Sequence, residues 1–315
     1  MVELRLYERR CVLTAEGIMS EFVTAKPSIV PIFSGGGTRL SAHIGILQAL
    51  HDLDVNFNTL VGVSGGSIVA SLYAKGFSID RMKQLAIDTD FKQFTEFSLW
   101  RLLREGGLSS GDVFQSWMDE QLEGATFSDL PKTLTILATD VNGGGPVLFG
   151  KENTPDMKVS EAVRYSMSIP LIFSFKPFKE HLLVDGAILS EDALFEDWQR
   201  DGTPTVCFRL QSAPQKRAVI KKSVLLLPQY VSMLIRTFMT AISREYVNAK
   251  YWHNTVVVNT GDISAVDFSL SPEIKNRLFE LGYNTTKEFL PKKCSHLNLP
   301  QELDEIIAVK PVVTP

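Results

Sequence analysis

Apolar positions along the first part of the chain follow two periods in turn. Ser28 to Phe33 and Phe57 to Val61 are short apolar runs of the length that a strand needs. A helical pattern begins at Thr38 after the first run, and helix-forming residues fill Ile68 to Lys75 after the second. Two strand-loop-helix units in succession predict a parallel sheet that is covered on both faces.

The rest of the chain extends this α/β pattern without an internal repeat or a low-complexity linker, which favours one domain. Predicted strands are Thr133–Val141, which returns through a glycine turn as Pro146–Phe149, and then Leu182–Val184, Thr205–Leu210 and Thr255–Asn259. Predicted helices run from a Ser78 cap to Asp88, from Ser110 to Leu122, from a Ser160 cap through Ser168, and from Ser271 to about Phe289.

Two apolar segments could serve either the core or a lipid. Val224 to Ile242 is interrupted by Pro228 and Arg236, and its apolar residues recur at helical spacing on one face. A helix near residues 224–247 is therefore predicted to pack in the core, in preference to lying on a membrane or covering an apolar site. Phe91 to Leu103 is rich in aromatic residues and is interpreted as core or as an apolar lip beside a site.

Composition narrows the classes of partner. The 315 residues include 22% charged ones and carry a formal charge of −4, which argues against a nucleic-acid partner. Three widely spaced cysteines without a C-x-x-C pair are typical of thiols in a reducing cytosol, and Met1 to Val12 is too charged for a signal peptide. No metal or cofactor is predicted, because no His/Asp/Glu cluster has ligand spacing. We expect a cytoplasmic protein, with peripheral contact to a membrane left open.

The residues Gly62-Val63-Ser64-Gly65-Gly66 match G-x-S-x-G between a predicted strand and a predicted helix. This pattern exposes a serine hydroxyl on a sharp strand-to-helix turn. The amide groups at the start of the next helix favour a developing negative charge. Ser64 is therefore a candidate nucleophile, with a tight turn and an incidental serine as the alternative.

A second glycine-rich turn offers donors for an oxyanion. Gly35, Gly36 and Gly37 lie between a strand end and a helix start, where their N–H groups can converge on an anion. Leu40 stands where the dinucleotide-binding pattern needs glycine, and the Gly-Lys-Ser/Thr of a P-loop is absent. Arg39 either assists a phosphate or oxyanion or faces solvent.

The base that would activate the serine discriminates between mechanisms. A Ser-His-Asp triad in α/β-hydrolase order would use His253 or His296, although neither follows a clear strand in a glycine-marked loop. Asp185 does follow a strand and precedes Gly186-Ala187. A Ser64–Asp185 dyad, with the carboxylate itself accepting the proton, is chemically sensible.

Three motifs in this order resemble the patatin-like phospholipase family: Gly35-Gly36-Gly37-Thr38-Arg39, then Gly62 to Gly66, then Asp185-Gly186-Ala187. The resemblance covers roughly Ile29 to Leu189. It implies a three-layer α/β/α fold and an acyl hydrolase with Ser64 as nucleophile, Asp185 as base and the Gly35–Gly37 amides as oxyanion hole. Arg39 matches the family's basic position. The sequence departs from the pattern at Leu40, where many members have glycine, and in Ile188 to Ala193, which lacks an asparagine-proline pair.

The expected protein is thus a phospholipase A or lysophospholipase that acts on a phospholipid or another lipid ester. Its predicted organisation is an N-terminal extension (1–27), a patatin-like catalytic domain (28–290) and a C-terminal tail (291–315). Three alternatives stay open: a Ser-His-Asp carboxylesterase for soluble esters, a silent scaffold that binds lipid or a partner, and an acyltransferase. Head group, activator and oligomeric state are not predicted.

Overall fold

The computed structural model of the chain describes residues 26–95, 97–188, 193–212, 230 and 249–293. Most of the predicted N-terminal extension, the helix predicted near 224–247 apart from Tyr230, and the tail beyond Lys293 lie outside the described residues. His296, Cys11 and Cys294 lie outside them as well.

Ten strands are present among the described residues, and they include every strand that the sequence predicts. The strands are β1 (Val30–Ser34), β2 (Thr59–Val63), β3 (Gly107–Ser109), β4 (Thr133–Asp140), β5 (Gly145–Gly150), β6 (Leu171–Phe173), β7 (Lys176–Phe178), β8 (His181–Val184), β9 (Thr205–Gln211) and β10 (Thr255–Asn259).

Seven α-helices accompany these strands in the described part of the chain. The helices are α1 (Leu40–Asp52), α2 (Gly65–Lys75), α3 (Ile79–Asp88), α4 (Leu99–Glu105), α5 (Asp112–Gln121), α6 (Val159–Ser166) and α7 (Pro272–Lys293). None of the helices described here is long and apolar enough to cross a bilayer.

The main sheet has the order β10-β9-β1-β2-β4-β8-β7, with β5 beside β4. The five strands from β10 to β4 are parallel, whereas β5, β8 and β7 pair antiparallel. Helices flank this sheet, and β3 and β6 form a separate two-stranded sheet. The predicted three-layer α/β/α fold with a mainly parallel sheet is confirmed.

Both faces of the sheet are buried, as a parallel sheet requires. Alternate residues of β1 enter different apolar clusters: Phe33 belongs to the larger core, while Val30 and Ile32 belong to a smaller one. The smaller cluster includes Leu194, with Trp198 packed against it. Continuous apolar runs in the sequence therefore correspond to strands with no solvent-facing side.

Strand β4 brings two distant segments together along one of its edges. Parallel β2 pairs up to Val63–Leu137, antiparallel β8 pairs from Val184–Thr139, and β5 occupies the opposite edge of the same residues. Strands β2 and β8 run towards each other along the same edge of β4. The residues that follow β2 and β8 therefore meet opposite Ala138.

Helix α1, which follows the first glycine turn, is held close to α7. An added methyl group at Gly45 would lie 2.0 Å from the Phe279 carbonyl oxygen, and one at Gly282 would lie 1.9 Å from the Ala42 carbonyl oxygen. The two helix backbones can approach this closely only because both contact positions are glycine. Contact with α7 thus anchors the helix that carries the functional loop.

Several helix ends differ from the sequence prediction: α5 spans Asp112–Gln121 and not Ser110–Leu122, and α6 ends at Ser166 and not at Ser168. Lys158, and not Ser160, precedes the first residue of α6, because the Ser160 hydroxyl instead donates to Asp119 of α5 at 2.8 Å. Helix α7 continues past Phe289 to Lys293, since Leu290 is buried and keeps the last turn packed.

Candidate active site

Ser64 lies at the sharp turn between β2 and α2, as the motif predicts. Its backbone has φ +54° and ψ −133°, a conformation that is strained for a residue with a side chain. The turn packs tightly against β1, because an added methyl group at Gly66 would lie 2.1 Å from the Phe33 carbonyl oxygen. The strained turn holds the serine side chain at the carboxyl ends of the parallel strands, where β2 ends and α2 begins.

Asp185 follows β8 and meets Ser64 at this edge. The Ser64 hydroxyl donates to Asp185 Oδ2 at 2.6 Å, and the Ala187 N–H donates to the other carboxylate oxygen at 2.9 Å. Ser64 is 1% exposed and Asp185 is fully buried. The two predicted residues, 121 positions apart in the chain, therefore form a direct, dry pair.

The end of helix α6 braces both members of this pair. Ser64 N–H donates to the Ser166 hydroxyl at 2.8 Å, and that hydroxyl donates to the Leu137 carbonyl at 2.6 Å. Asp185 N–H donates to the Ser168 carbonyl at 2.9 Å. Ser166 therefore fixes the backbone of the serine turn against β4, while Ser168 fixes the backbone of the aspartate.

Burial dominates the electrostatics of Asp185. Removal from water raises the pKa of its carboxyl to about 6, against the opposing effect of the hydrogen bonds from Ser64 and the Ala187 amide. The carboxylate is thus ionised at neutral pH but is a stronger proton acceptor than an ordinary aspartate. This is the property that a general base acting on a hydroxyl needs.

The first glycine turn lies beside the serine turn, with all three glycines at positive φ. Gly35 N–H donates to the Val63 carbonyl, and the Gly35 carbonyl accepts from Gly66 N–H at 2.9 Å. Gly36 and Gly37 are buried residues, and within the described part of the chain their N–H groups donate to no protein acceptor. Buried amides without a partner are uncommon, and here two consecutive ones are available to a ligand oxygen.

Arg39 does not face solvent, so that alternative is wrong. Its side chain is fully buried, with Nε donating to the Gly36 carbonyl at 3.0 Å and Nη1 donating to Thr260 Oγ1 at 2.6 Å. Burial lowers the pKa of its guanidinium to about 10, which leaves it charged at neutral pH. Arg39 therefore braces the glycine turn from behind.

An apolar pocket opens next to the glycine turn. Gly37 and Ile68 of α2 line one part of it, and Phe94, Phe114 and Phe268 line another. Its cavity volume is about 30 Å³, so it is narrow. The site therefore combines a polar dyad, free amides and an apolar recess.

Comparison with known proteins places this arrangement in a family. The patatin-like phospholipase family matches residues 32–195, slightly more than half of the 315-residue chain. The chain belongs to the patatin-like phospholipase family. It is 28% identical over 289 residues to YqhO of Bacillus subtilis, covering 82% of this chain and 97% of that protein.

Two further comparisons agree with membership of the patatin-like family. The probable lipid hydrolase 463L of Invertebrate iridescent virus 6 is 26% identical over 180 residues, covering 50% of this chain and 59% of that protein. The crystal structure of VipD from Legionella pneumophila matches with a TM-score of 0.51 at 16% identity, over 93% of this chain and 72% of that chain, which supports the shared fold. At the level of reaction class, this patatin-like chain is a lipid hydrolase.

No histidine side chain in the described part of the chain is hydrogen-bonded to Ser64 or Asp185. His253 lies in the 3-10 turn that precedes β10, at the amino ends of the parallel strands, whereas Ser64 follows the carboxyl end of β2. His181 Nδ1 bonds to Asp140 Oδ2 at 2.7 Å. Among the described residues, no group of three or more His, Cys, Asp or Glu side chains is placed to hold a metal ion.

Sequence reasoning did not identify the residues that brace the patatin-like site. Ser166 and His43 each hydrogen-bond to a main-chain atom of one of the two turns. The bond from Ser166 joins α6 to the serine turn across 102 positions, so no local pattern indicates it. The hydrogen bond between His43 and the Gly35 carbonyl joins residues only eight positions apart, but it depends on how the glycine turn folds back over the start of α1.

The raised pKa of Asp185 predicts that Asp185→Asn stabilises the fold at pH 7 while impairing the site. The folded state binds the proton more tightly than the unfolded chain, so the free energy of unfolding falls as pH rises from about 4 to about 6. A neutral amide avoids this cost, and we expect a gain of about 1–3 kcal/mol in urea unfolding at pH 7. The gain should disappear below about pH 4.

Asp140→Asn is the matched control for this measurement. Hydrogen bonds from His181 and from backbone amides lower the pKa of Asp140, so loss of its charge should destabilise the fold at neutral pH. Destabilisation by Asp185→Asn at pH 7, equal to that of the control, would contradict the electrostatic account.

Proposed function

We propose that this protein is a phospholipase A or lysophospholipase that cleaves lipid esters through an acyl-enzyme on Ser64. The observation that carries the proposal is the buried 2.6 Å hydrogen bond from the Ser64 hydroxyl to Asp185 at a strained turn. Membership of a family of lipid hydrolases supports the proposal. His253 lies at the amino ends of the parallel strands, whereas Ser64 lies at their carboxyl ends, and this separation disfavours His253 as the base of a triad.

The reaction uses Asp185 first as a base and then as an acid. The carboxylate accepts the Ser64 proton as Oγ attacks the ester carbonyl, and the protonated acid gives that proton to the departing alcohol. Water then attacks the acyl-enzyme: Asp185 takes a proton from the water and passes it to Ser64 Oγ as the bond between Oγ and the acyl carbon breaks and the fatty acid leaves. A carboxylate whose pKa is raised by burial is suited to both transfers at neutral pH.

We assign to the glycine turn the stabilisation of the negative charge that develops on the attacked carbonyl oxygen. The N–H groups of Gly36 and Gly37 are the donors, because Gly35 N–H is already engaged with Val63. Donors of this kind, fixed before the substrate arrives, stabilise the transition state more than the ground state. Arg39 supports the oxyanion indirectly, through the Gly36 carbonyl.

The apolar pocket beside Gly37 is the proposed site for the fatty acyl chain. It adjoins both the free amides and helix α2, and its walls are aromatic and aliphatic. An ester carbonyl held at Ser64 can extend its chain into this recess without exposing it to water. The present width requires aromatic side chains to shift when a chain enters.

Peripheral contact with a lipid surface is assigned to the segment around α4. The predicted aromatic segment divides in two: Phe94 lines the pocket, whereas Phe97, Trp100 and Leu103 are 53%, 72% and 80% exposed. The Phe97 ring packs edge-on against the ring of Phe268, which lines the pocket, with ring centroids 6.2 Å apart. Exposed apolar side chains, tryptophan among them, that connect to an apolar pocket suit the interface of a bilayer.

Covalent labelling tests the dyad. A fluorophosphonate should add once to the wild-type protein, not at all to Ser64→Ala, and at least roughly 10³-fold more slowly to Asp185→Asn, because that variant lacks the base. Intact mass and fatty-acid release from phosphatidylcholine vesicles are the measurements. The variant His253→Ala/His296→Ala should keep both activities, and its inactivity would revive the triad esterase. Folded wild-type protein that is never labelled would support the silent scaffold.

The pKa of Asp185 sets the pH dependence of hydrolysis. Because only the ionised carboxylate accepts the serine proton, kcat/KM should rise with pH up to about 6 and level off above it. Temperature distinguishes the titrating group, since the pKa of a carboxyl barely moves on heating whereas that of an imidazole falls. An apparent pKa that falls clearly between 15 and 35 °C would identify a histidine base instead.

The variants Trp100→Ala and Leu103→Ala test contact with lipid. Each should lower the fraction that sediments with phosphatidylcholine vesicles roughly tenfold, since each removes an apolar side chain that the interface would bury. Hydrolysis of a soluble short-chain ester should stay unchanged. Trp252→Ala is the control, because Trp252 is 51% exposed but lies before β10, away from the pocket. Equal binding by all three variants would contradict the assignment.

A further inference from the structure

One buried titratable side chain beside the site takes no part in the reaction described above. His43 lies on α1, fully buried, with its Nε2 atom 3.1 Å from the Gly35 carbonyl oxygen. Its ring meets Phe33 edge-on with centroids 5.6 Å apart. Its other nitrogen, Nδ1, has no hydrogen-bond partner among the described residues.

The partner of Nε2 determines which nitrogen of His43 carries the proton. A carbonyl oxygen can only accept, so Nε2 must be the N–H donor and Nδ1 the bare nitrogen. Burial lowers the pKa of His43 to about 4, with a smaller contribution from the nearby charge of Arg39 and against the opposing effect of the hydrogen bond to Gly35, so the ring is neutral at neutral pH. The Gly35 carbonyl thus receives two donors, His43 Nε2–H and Gly66 N–H.

The planarity of the peptide bond turns this contact into a constraint on Gly36. The Gly35 carbonyl and the Gly36 N–H belong to one trans peptide unit, in which they point in opposite directions. One donor from α1, His43 Nε2–H, and one from α2, Gly66 N–H, hold this carbonyl, so the Gly36 N–H of the same peptide points away from both donors. Arg39 acts in the same way on the next unit, since its N–H and its Nε both donate to the Gly36 carbonyl at 3.0 Å and so orient the Gly37 N–H.

We propose that His43 is a positioning residue of the oxyanion hole, whose Nε2–H fixes the Gly35–Gly36 peptide so that the Gly36 N–H faces the developing oxyanion. This inference rests on the proposed function, because it requires an oxyanion at Ser64. Glycines at positive φ are free to rotate, so a loop of three needs such external restraints to present two donors in one direction. The close approach of His43 to Gly36 supports this role, since a methyl group added at Gly36 would lie 3.2 Å from His43 Nε2.

The matched pair His43→Gln and His43→Met separates donation from packing. The two side chains have nearly the same shape, but only glutamine can donate to the Gly35 carbonyl. We expect kcat for a soluble short-chain ester to fall roughly 10- to 100-fold in His43→Met, with KM little changed. This fall should not exceed the fall in kcat that follows complete removal of one oxyanion-hole donor. His43→Gln should recover most of that loss. Leu50→Ala, two turns further along α1, is the control for destabilisation of the helix.

The remaining measurements keep the outcome decisive. All variants are assayed at least 10 °C below their own unfolding midpoints, and His43→Leu replaces His43→Met if the latter does not fold. The apparent pKa of the kcat/KM profile should stay at the wild-type value in His43→Met, because the dyad is untouched. Equal kcat in the glutamine and methionine variants would overturn the proposal, as would a loss in Leu50→Ala as large as that in His43→Met. Wild-type protein that no fluorophosphonate labels would instead refute the proposed function itself.

Discussion

The hydrogen bond between the Ser64 hydroxyl and Asp185 is the contact on which the rest of the site depends. It exists because parallel β2 and antiparallel β8 run head-on along one edge of β4 and end opposite Ala138. A sheet in which β8 took the other edge would separate the two residues by the width of a strand. The antiparallel arm of an otherwise parallel sheet is therefore what brings the aspartate to the serine.

This arrangement concentrates unfavourable features in one place. Ser64 has a strained backbone, Asp185 is a buried carboxylate, and the Gly36 and Gly37 amides lack partners within the described residues. Each feature lowers the stability of the resting fold, and apolar cores on both faces of the sheet offset them. Under the proposed mechanism a reacting ester would use all of them, because the strained turn would present the Ser64 hydroxyl, the burial would strengthen Asp185 as a base, and the two amides would stabilise the developing charge.

Layers of hydrogen bonds around the dyad and the glycine turn share one logic. Ser166 and Ser168 hold the backbones of Ser64 and Asp185, while Arg39 and His43 hold carbonyl groups of the glycine turn. Each of these hydrogen bonds to the dyad or the glycine turn is made to a main-chain atom of the braced residue. The neighbouring helices α1 and α6 therefore set the main-chain geometry of the site. The glycines allow the positive φ angles of the turn, and the hydrogen bonds from these helices hold the turn in that conformation.

The sequence by itself determined the strands, most helices and the candidate residues Ser64 and Asp185, because these depend on local patterns. Apolar runs between glycine turns identify buried strands, and G-x-S-x-G and Asp185-Gly186-Ala187 mark their own turns. The true start of α6 and the burial of Arg39 were decided by partners from distant elements, Asp119 and Thr260. The same holds for the bracing role of Ser166 and for the pKa of Asp185. Hydrogen-bond partners more than 40 positions away, and the exclusion of water, are properties of packing, and no local pattern of residues encodes them.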